Sequence, residues 1–167
     1  MIHIRPETPD DRAAIYAVLL AAFGRPEEAK LVDALRDGGH FDPRLSLVCQ
    51  RGGQIVGHIL LSRITIGPTP ALALAPLAVT PTYQRHGYGS ALVEAGLQAA
   101  QELAHRAVVV LGHPDFYPRF GFVPATDRGI TAPFDVPREA FLVRELLPGA
   151  LEGISGVVTY PAPFFDL

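Results

Sequence analysis

The sequence predicts an α/β fold built as an α+β mixed sheet: a central, mostly antiparallel sheet with one βαβ unit and flanking helices. Two observations in the chain order carry this. Short apolar runs punctuated by glycine and proline turns read as a meander of strands. A strand, a glycine turn, a long amphipathic helix and a wholly apolar strand then follow one another, which is the signature of a right-handed βαβ crossover. Composition supplies a third. With 167 residues, 49% apolar and 19% charged, the chain suits a single globular domain over 1–167, and its hydrophobic runs are too broken for a membrane span.

The elements follow in order. Ile2–Arg5 reads as a first strand with no export signal before or within it, so a cytoplasmic location is expected. Pro9-Asp10-Asp11 caps a helix whose apolar positions Ala14, Ile15, Val18, Leu19 and Ala22 recur at helical spacing, ending by Gly24. A second helix runs from about Pro26 to Asp37, burying Leu31, Val32 and Leu35, and closes at Gly38-Gly39. Leu45–Gln50 and Gln54–Ile66 flank Arg51-Gly52-Gly53 and read as a hairpin. After Gly67-Pro68-Thr69-Pro70, the run Ala71–Val79 joins this sheet, but Pro76 lacks a ladder donor. The strand is therefore expected to be bulged, or free of its neighbour, around Pro76.

Ser90–His105 forms a helix with Leu92, Val93, Gly96, Leu97, Ala100 and Leu103 on its apolar face, and it leads into the buried strand Ala107–Leu111. The next segment has room for about one helical turn between Pro114 and Pro118, then a short strand over Phe120–Val123. Residues 124–137 read as an exposed loop, and Ala140–Glu145 and Gly156–Tyr160 as the last strands. The one cysteine, Cys49, sits in an apolar run and reads as a buried thiol, which excludes disulfide scaffolding. A formal net charge of −3 with no basic cluster argues against a nucleic-acid partner. The six histidines lack metal-ligand spacing.

The most informative stretch is Gln84-Arg85-His86-Gly87-Tyr88-Gly89-Ser90, between the strand ending at Val79 and the helix beginning near Ser90. Two glycines one residue apart let the backbone take positive φ and bring N–H groups near an anion, and the helix adds the positive end of its dipole. The residues alone leave open a pyrophosphate cradle or an ordinary turn. A nucleotide P-loop is excluded because no lysine follows the glycines. A dinucleotide fingerprint fails because Leu92 stands where its third glycine belongs and no acid follows at the required distance.

The pattern Gln/Arg-x-x-Gly-x-Gly/Ala between a bulged strand and a helix resembles that of the GCN5-related N-acetyltransferases. The likeness extends over Val79–Leu92 and over Tyr117-Pro118-Arg119-Phe120-Gly121-Phe122, and the order of elements agrees across roughly residues 2–160. Ala29-Lys30-Leu31-Val32, Gly57-His58-Ile59-Leu60 and Gly112-His113-Pro114 further resemble a bacterial subgroup of predicted acetyltransferases. The resemblance implies the acyl-CoA N-acyltransferase fold, acetyl-CoA as cofactor with no metal, and an amine of a small molecule or protein as acceptor.

What it implies for the site follows the chemistry of the transfer. The backbone N–H groups of Arg85, His86, Gly87, Tyr88, Gly89 and Ser90 would take the pyrophosphate, with Gln84 beside it. Leu77, Ala78 and Val79 match the positions along the pantetheine arm, and the Leu77 N–H is placed to polarise the thioester carbonyl. Tyr117 matches the general acid, because a phenol with a pKa near 10 is protonated at neutral pH and able to serve the leaving thiolate. This chain departs from the family in having only His113-Pro114-Asp115-Phe116 before that tyrosine, without the usual asparagine. It also carries no acid on Ala71–Val79 to deprotonate the amine. His58, expected on a strand facing the cleft, and His113, at the end of the central strand, are the candidate bases; Asp115 and Glu145 are weaker ones. The acceptor pocket is expected from the first two helices, the 124–137 loop and the last strands, with Phe134, Phe141, Phe164 and Phe165 as candidate lining. The apolar tail Tyr160–Phe165 is a candidate homodimer contact. A non-catalytic acyl-CoA-binding module and a merely structural turn are the competing readings.

Overall fold

The computed structural model describes residues 1–166. Its strands are β1 (Ile2–Pro6), β2 (Ser46–Arg51), β3 (Gln54–Ile66), β4 (Thr69–Val79), β5 (Ala107–Leu111), β6 (Val123–Pro124), β7 (Ile130–Thr131), β8 (Phe141–Glu145) and β9 (Gly156–Thr159). The helices are α1 (Arg12–Phe23), α2 (Glu27–Asp37) and α3 (Tyr88–Glu102). The main path of the sheet runs β1-β2-β3-β4-β5-β8-β6, with β9 pairing β3 and β7. Of the main-path pairings only β4 with β5 is parallel, as the βαβ crossover through α3 requires.

Alternation along the strands divides the core between two faces. Ile59 and Leu61 of β3, Leu72 and Leu74 of β4 and Val108 and Val110 of β5 meet Leu92, Val93, Leu97 and Ala100 of α3. The opposite face carries Val48, Leu60 and Ala78 beneath Ile15, Leu19, Val32 and Leu35 of α1 and α2. Farther along that face, Ile64, Ala71, Val109 and Phe141 pack under Ala125, Ile130, Leu151 and Val158.

Several boundaries differ from the sequence reading, each for a local reason. Pro9–Asp11 is a separate 3-10 turn ahead of α1, in which Asp11 accepts the Thr8 N–H at 2.7 Å while Arg5 forks onto the same carboxylate. The helical turn expected between the two prolines falls later, at Tyr117–Phe120, because Pro118 suits the first turn of a helix. Phe120 belongs to that turn, so the strand expected over Phe120–Val123 starts only at Val123. Residues 124–137 are not simply an exposed loop: Ala125 and Ile130 are fully buried and β7 pairs with β9. Single buried anchors spaced by turns leave no periodicity to read.

The bulge expected at Pro76 is present. Ile59 pairs with Leu77 and Leu61 with Leu74, so β4 spends three steps where β3 spends two. The Ala75–Pro76 peptide is cis. On its other edge β4 pairs with β5 only at Leu72–Val108 and Ala73–Val109. Beyond Ala73 the two parallel strands part, and β5 remains paired with β8 along its whole length.

Candidate active site

The turn Gln84–Ser90 lies beside the end of β4. A groove of about 470 Å3 is bordered by Val79 at the end of β4, by Gln84, Arg85, Gly87, Gly89 and Ser90, and by Phe116 and Arg119 from beyond β5. The left-handed positions of the turn are Arg85 (φ 65°) and Gly87 (φ 81°), whereas Gly89 already lies in α3 with helical backbone. The expectation that both glycines supply positive φ is thus half met. Gly89 is small for a different reason. A Cβ there would have only the Val79 Cγ2, 4.0 Å away, near it, so the missing side chain leaves groove rather than core unfilled.

Helix α3 starts at Tyr88 without a side-chain cap. The N–H groups of Tyr88, Gly89 and Ser90 at its first turn therefore lack intrahelical partners and make, with the dipole, an anion-binding end. Gln84 turns away from it: its amide donates to the Val79 carbonyl at 2.9 Å, tying the turn to the strand. His86 stacks among Tyr83 and Tyr88, and Arg51 lies 4.9 Å over the Tyr83 ring. Phe116 and Arg119 are groove residues that the sequence reading did not single out. Arg119 holds its guanidinium 4.7 Å over Phe116, which fixes a second positive charge beside Arg85. Its place two residues after Tyr117, across a tight 3-10 turn, was the available signal.

Leu77 and Val79 pack toward the α3 face and Ala78 toward α1 and α2, at the end of β4 that has left β5. Tyr117 lies under the end of β5, 8% exposed, with its ring 4.9 Å from Phe116 and 5.6 Å from Phe122. Gly112 makes this placement available, since a Cβ on it would come within 2.2 Å of the Tyr117 Cε2. Burial pushes the phenol up to about 12, so it is protonated across the neutral range.

The two histidines are not drawn into this region. His58 was expected to face the cleft, and it does not: it is fully buried between sheet and helices. The Ser46 hydroxyl donates to the Glu7 carboxylate, itself forked by Arg36 at 2.9 Å, and Ser46 Oγ lies 2.9 Å from His58 Nε2. A hydroxyl has one proton to give, so Nε2 carries the hydrogen and Nδ1 is left as a bare acceptor, sealed without a partner. Desolvation, then the Arg36 charge, pushes His58 down to about 3. His113 is exposed on the loop after β5, where Nδ1 accepts the Asp115 N–H at 3.2 Å. Asp115 is more exposed still, and Glu145 is engaged by Arg128 and by the Leu151 N–H. Among the described residues no three of His, Cys, Asp and Glu gather as metal ligands.

A second cavity of about 270 Å3 opens where β4 and β5 part. Consecutive residues 73–75 of β4 and 109–111 of β5 border it, and because their side chains alternate between faces it reaches the gap itself. Phe134, Tyr160, Phe164 and Phe165 form its outer wall. Three of the four phenylalanines expected at an acceptor pocket are therefore here. Phe141 is not; it is fully buried in the core. Tyr160 was missed as lining, because only the tertiary fold brings the segment after β9 beside residues of β4 and β5. No described helix is long and apolar enough to cross a membrane.

Known proteins share this arrangement. The acetyltransferase (GNAT) family pattern matches residues 12–122. The chain is 36% identical to the uncharacterized N-acetyltransferase YhbS of Escherichia coli K12, covering 96% of this chain and 97% of that protein. It is 41% identical to the uncharacterized N-acetyltransferase YjhQ of the same organism, over 77% of this chain and 74% of that one. The crystal structure of E. coli YhbS in complex with CoA superimposes with a TM-score of 0.94 at 35% identity, covering 99% of this chain and 93% of that one. A Brucella melitensis GNAT acetyltransferase in complex with acetyl-CoA gives a TM-score of 0.81 at 32% identity, with 98% of each chain covered. The bulged β4 parting from β5, the anion-binding start of α3 and the match over the whole chain agree on one conclusion: this protein belongs to the GNAT family of N-acetyltransferases.

Proposed function

We propose that the chain binds acetyl-CoA in the groove at the start of α3 and transfers the acetyl group to an amine that enters from the opposite cavity. The observation that carries this is a pair of openings, one basic and one apolar, that border the part of β4 where its pairing with β5 ends: the cavity at residues 73–75 and the groove at Val79. The groove fits coenzyme A on its own terms. Unpartnered helix-start N–H groups, two arginines and the space a Cβ at Gly89 would fill suit a pyrophosphate. The cofactor supplies an activated acetyl thioester when bound.

The remaining chemistry falls to this chain's residues. The N–H groups of Tyr88, Gly89 and Ser90, with Arg85 and Arg119, hold the phosphates. Leu77, Ala78 and Val79 are paired with β3 but have no β5 partner, so the edge they turn away from β3 would flank the pantetheine arm and the thioester carbonyl. Tyr117, protonated throughout the neutral range, donates toward the leaving sulfur. His58 and His113 are read as structural and solvent-facing respectively, since His58 is sealed against Ser46 and His113 stands exposed on the loop after β5.

The test combines coenzyme A calorimetry with thiol release over a panel of amines. Micromolar coenzyme A binding with amine-dependent thiol release is expected. Binding without turnover on any amine would leave the non-catalytic module as the better reading.

A further inference from the structure

We propose that the acceptor is a small aromatic amine that arrives with its nitrogen already neutral and seats its ring in the aromatic cavity at the β4–β5 opening. This rests on the acetyltransferase reading above and narrows it to a substrate class.

Size and shape come first. At about 270 Å3 the cavity lies just below the roughly 300–1,000 Å3 that hold drug-sized ligands, so it suits one ring with a short substituent. Tyr160 sits at the centre of the wall, with ring centroids 6.0 Å from Phe134, 5.0 Å from Phe164 and 6.3 Å from Phe165. These separations are those of rings packed face to face or edge to face, the contacts a further ring would extend.

Charge decides the rest. No residue bordering the cavity carries a charge or an imidazole, and Tyr160 brings its only side-chain hydroxyl. Burial pushes that hydroxyl up to about 12, so it stays a neutral hydrogen-bond partner for an amino group. An alkyl ammonium with a pKa near 10.4 is protonated in all but about one molecule in a thousand at neutral pH. It would enter without a counter-ion and then need a base to take its proton. Among the described residues none stands there: His58 is sealed behind Ser46, and His113 and Asp115 point to solvent. An aryl amine shares its lone pair with the ring and is neutral at pH 7, so neither difficulty arises.

The step balances without another reactant. The amine nitrogen bonds to the acetyl carbon as the carbon–sulfur bond breaks, and the sulfur leaves with the electron pair. The nitrogen sheds one proton and the sulfur gains one, giving the amide and free coenzyme A.

The isomers p-toluidine and benzylamine provide the test, because they have the same atoms and nearly the same size and differ in the protonation of the nitrogen. Direct binding by ligand-observed NMR in the presence of coenzyme A, and initial rates of thiol release, are both measured. The expected result is a kcat/KM for p-toluidine at least about tenfold above that for benzylamine at pH 7, and flat from roughly pH 6.5 to 8.5. Phe134→Ala and Phe165→Ala, at positions 39% and 59% exposed, should keep the fold. Each should weaken p-toluidine binding by about fivefold and leave coenzyme A affinity unchanged. Coenzyme A binding with benzylamine preferred or equal, or p-toluidine binding that ignores both variants, overturns the aromatic-amine assignment alone. Absence of coenzyme A binding overturns the acetyltransferase reading beneath it.

Discussion

The groove at the start of α3 and the cavity at the β4–β5 gap are built on opposite principles. The groove takes most of its border from one contiguous stretch, Gln84–Ser90, and offers N–H groups, two arginines and a helix dipole to an anion. The cavity draws on five separate segments, around 74, 110, 134, 160 and 164, and offers aromatic faces without charge. In the proposed reading, backbone would recognise the cofactor and side chains the acceptor. Backbone geometry tolerates few substitutions, whereas a wall of side chains can be re-cut residue by residue. A fold built this way can keep one donor while changing acceptors.

The largest effect is expected at Tyr117, buried under the end of β5. Tyr117→Phe should lower kcat by about 10²–10⁴-fold while coenzyme A affinity stays within about twofold, since only the proton donor is lost. A small effect on kcat would remove Tyr117 from the chemistry. Gly112→Ala should destabilise by about 1–3 kcal/mol, because its Cβ would overlap the Tyr117 ring. Thermal melts of Gly112→Ala, Tyr117→Ala and the double variant check this. The double variant should be more stable than the sum of the singles predicts, and simple additivity would mean that the two residues do not press on each other.

His58 separates stability from catalysis. Its native pKa, about 3, lies below the usual 6.5, so the native state holds it neutral while the unfolded chain takes up a proton below pH 6.5. Its contribution is complete above that pH and falls as pH drops toward 3, at about 1.4 kcal/mol per unit, or about 2 kcal/mol lost by pH 5. Denaturant melts from pH 7 to 5 should show this slope, and His58→Gln should flatten most of it. His105, also lowered by burial, leaves a residual slope of the same sign, and Asp11, held near 2 by Arg5, acts only at lower pH. An unchanged slope in His58→Gln would contradict the sealed environment.

Gly89→Ala should weaken coenzyme A about tenfold with no change in melting temperature, as the new methyl enters the groove and strains nothing. Gly87→Ala, at φ 81°, should in addition lose about 1 kcal/mol of stability. Equal melting losses in both would show that Gly89 is structural. The smallest effect is expected from Arg119→Ala, about threefold in coenzyme A affinity at low salt and less at high salt, as suits an exposed charge. Calorimetry at two ionic strengths reads it directly.

The longer strands, the helices and the crossover were legible because each announces itself over a few consecutive residues, and Pro76 even located the bulge, whereas the two-residue strands β6 and β7 were not. Tyr117, the turn at Gln84–Ser90 and the Gly-Phe element after it were legible as local patterns. The errors share one cause. His58 lies on a strand whose side chains alternate between the two faces of the sheet, and only α1 and α2 settling over that face seal it against Ser46. Phe141 and Phe134 look alike in the sequence, yet the register of β8 against β5 buries the first while the second reaches the cavity. Arg119 reaches the groove only because a short 3-10 turn brings residue 119 beside the start of α3. The sequence by itself determined the groove proposed for the donor, because an anion-binding backbone conformation is encoded by contiguous glycines and a helix start. The cavity proposed for the acceptor was decided by tertiary structure, because a wall made of single side chains from distant segments exists only after the sheet has set their register and the helices have chosen their faces.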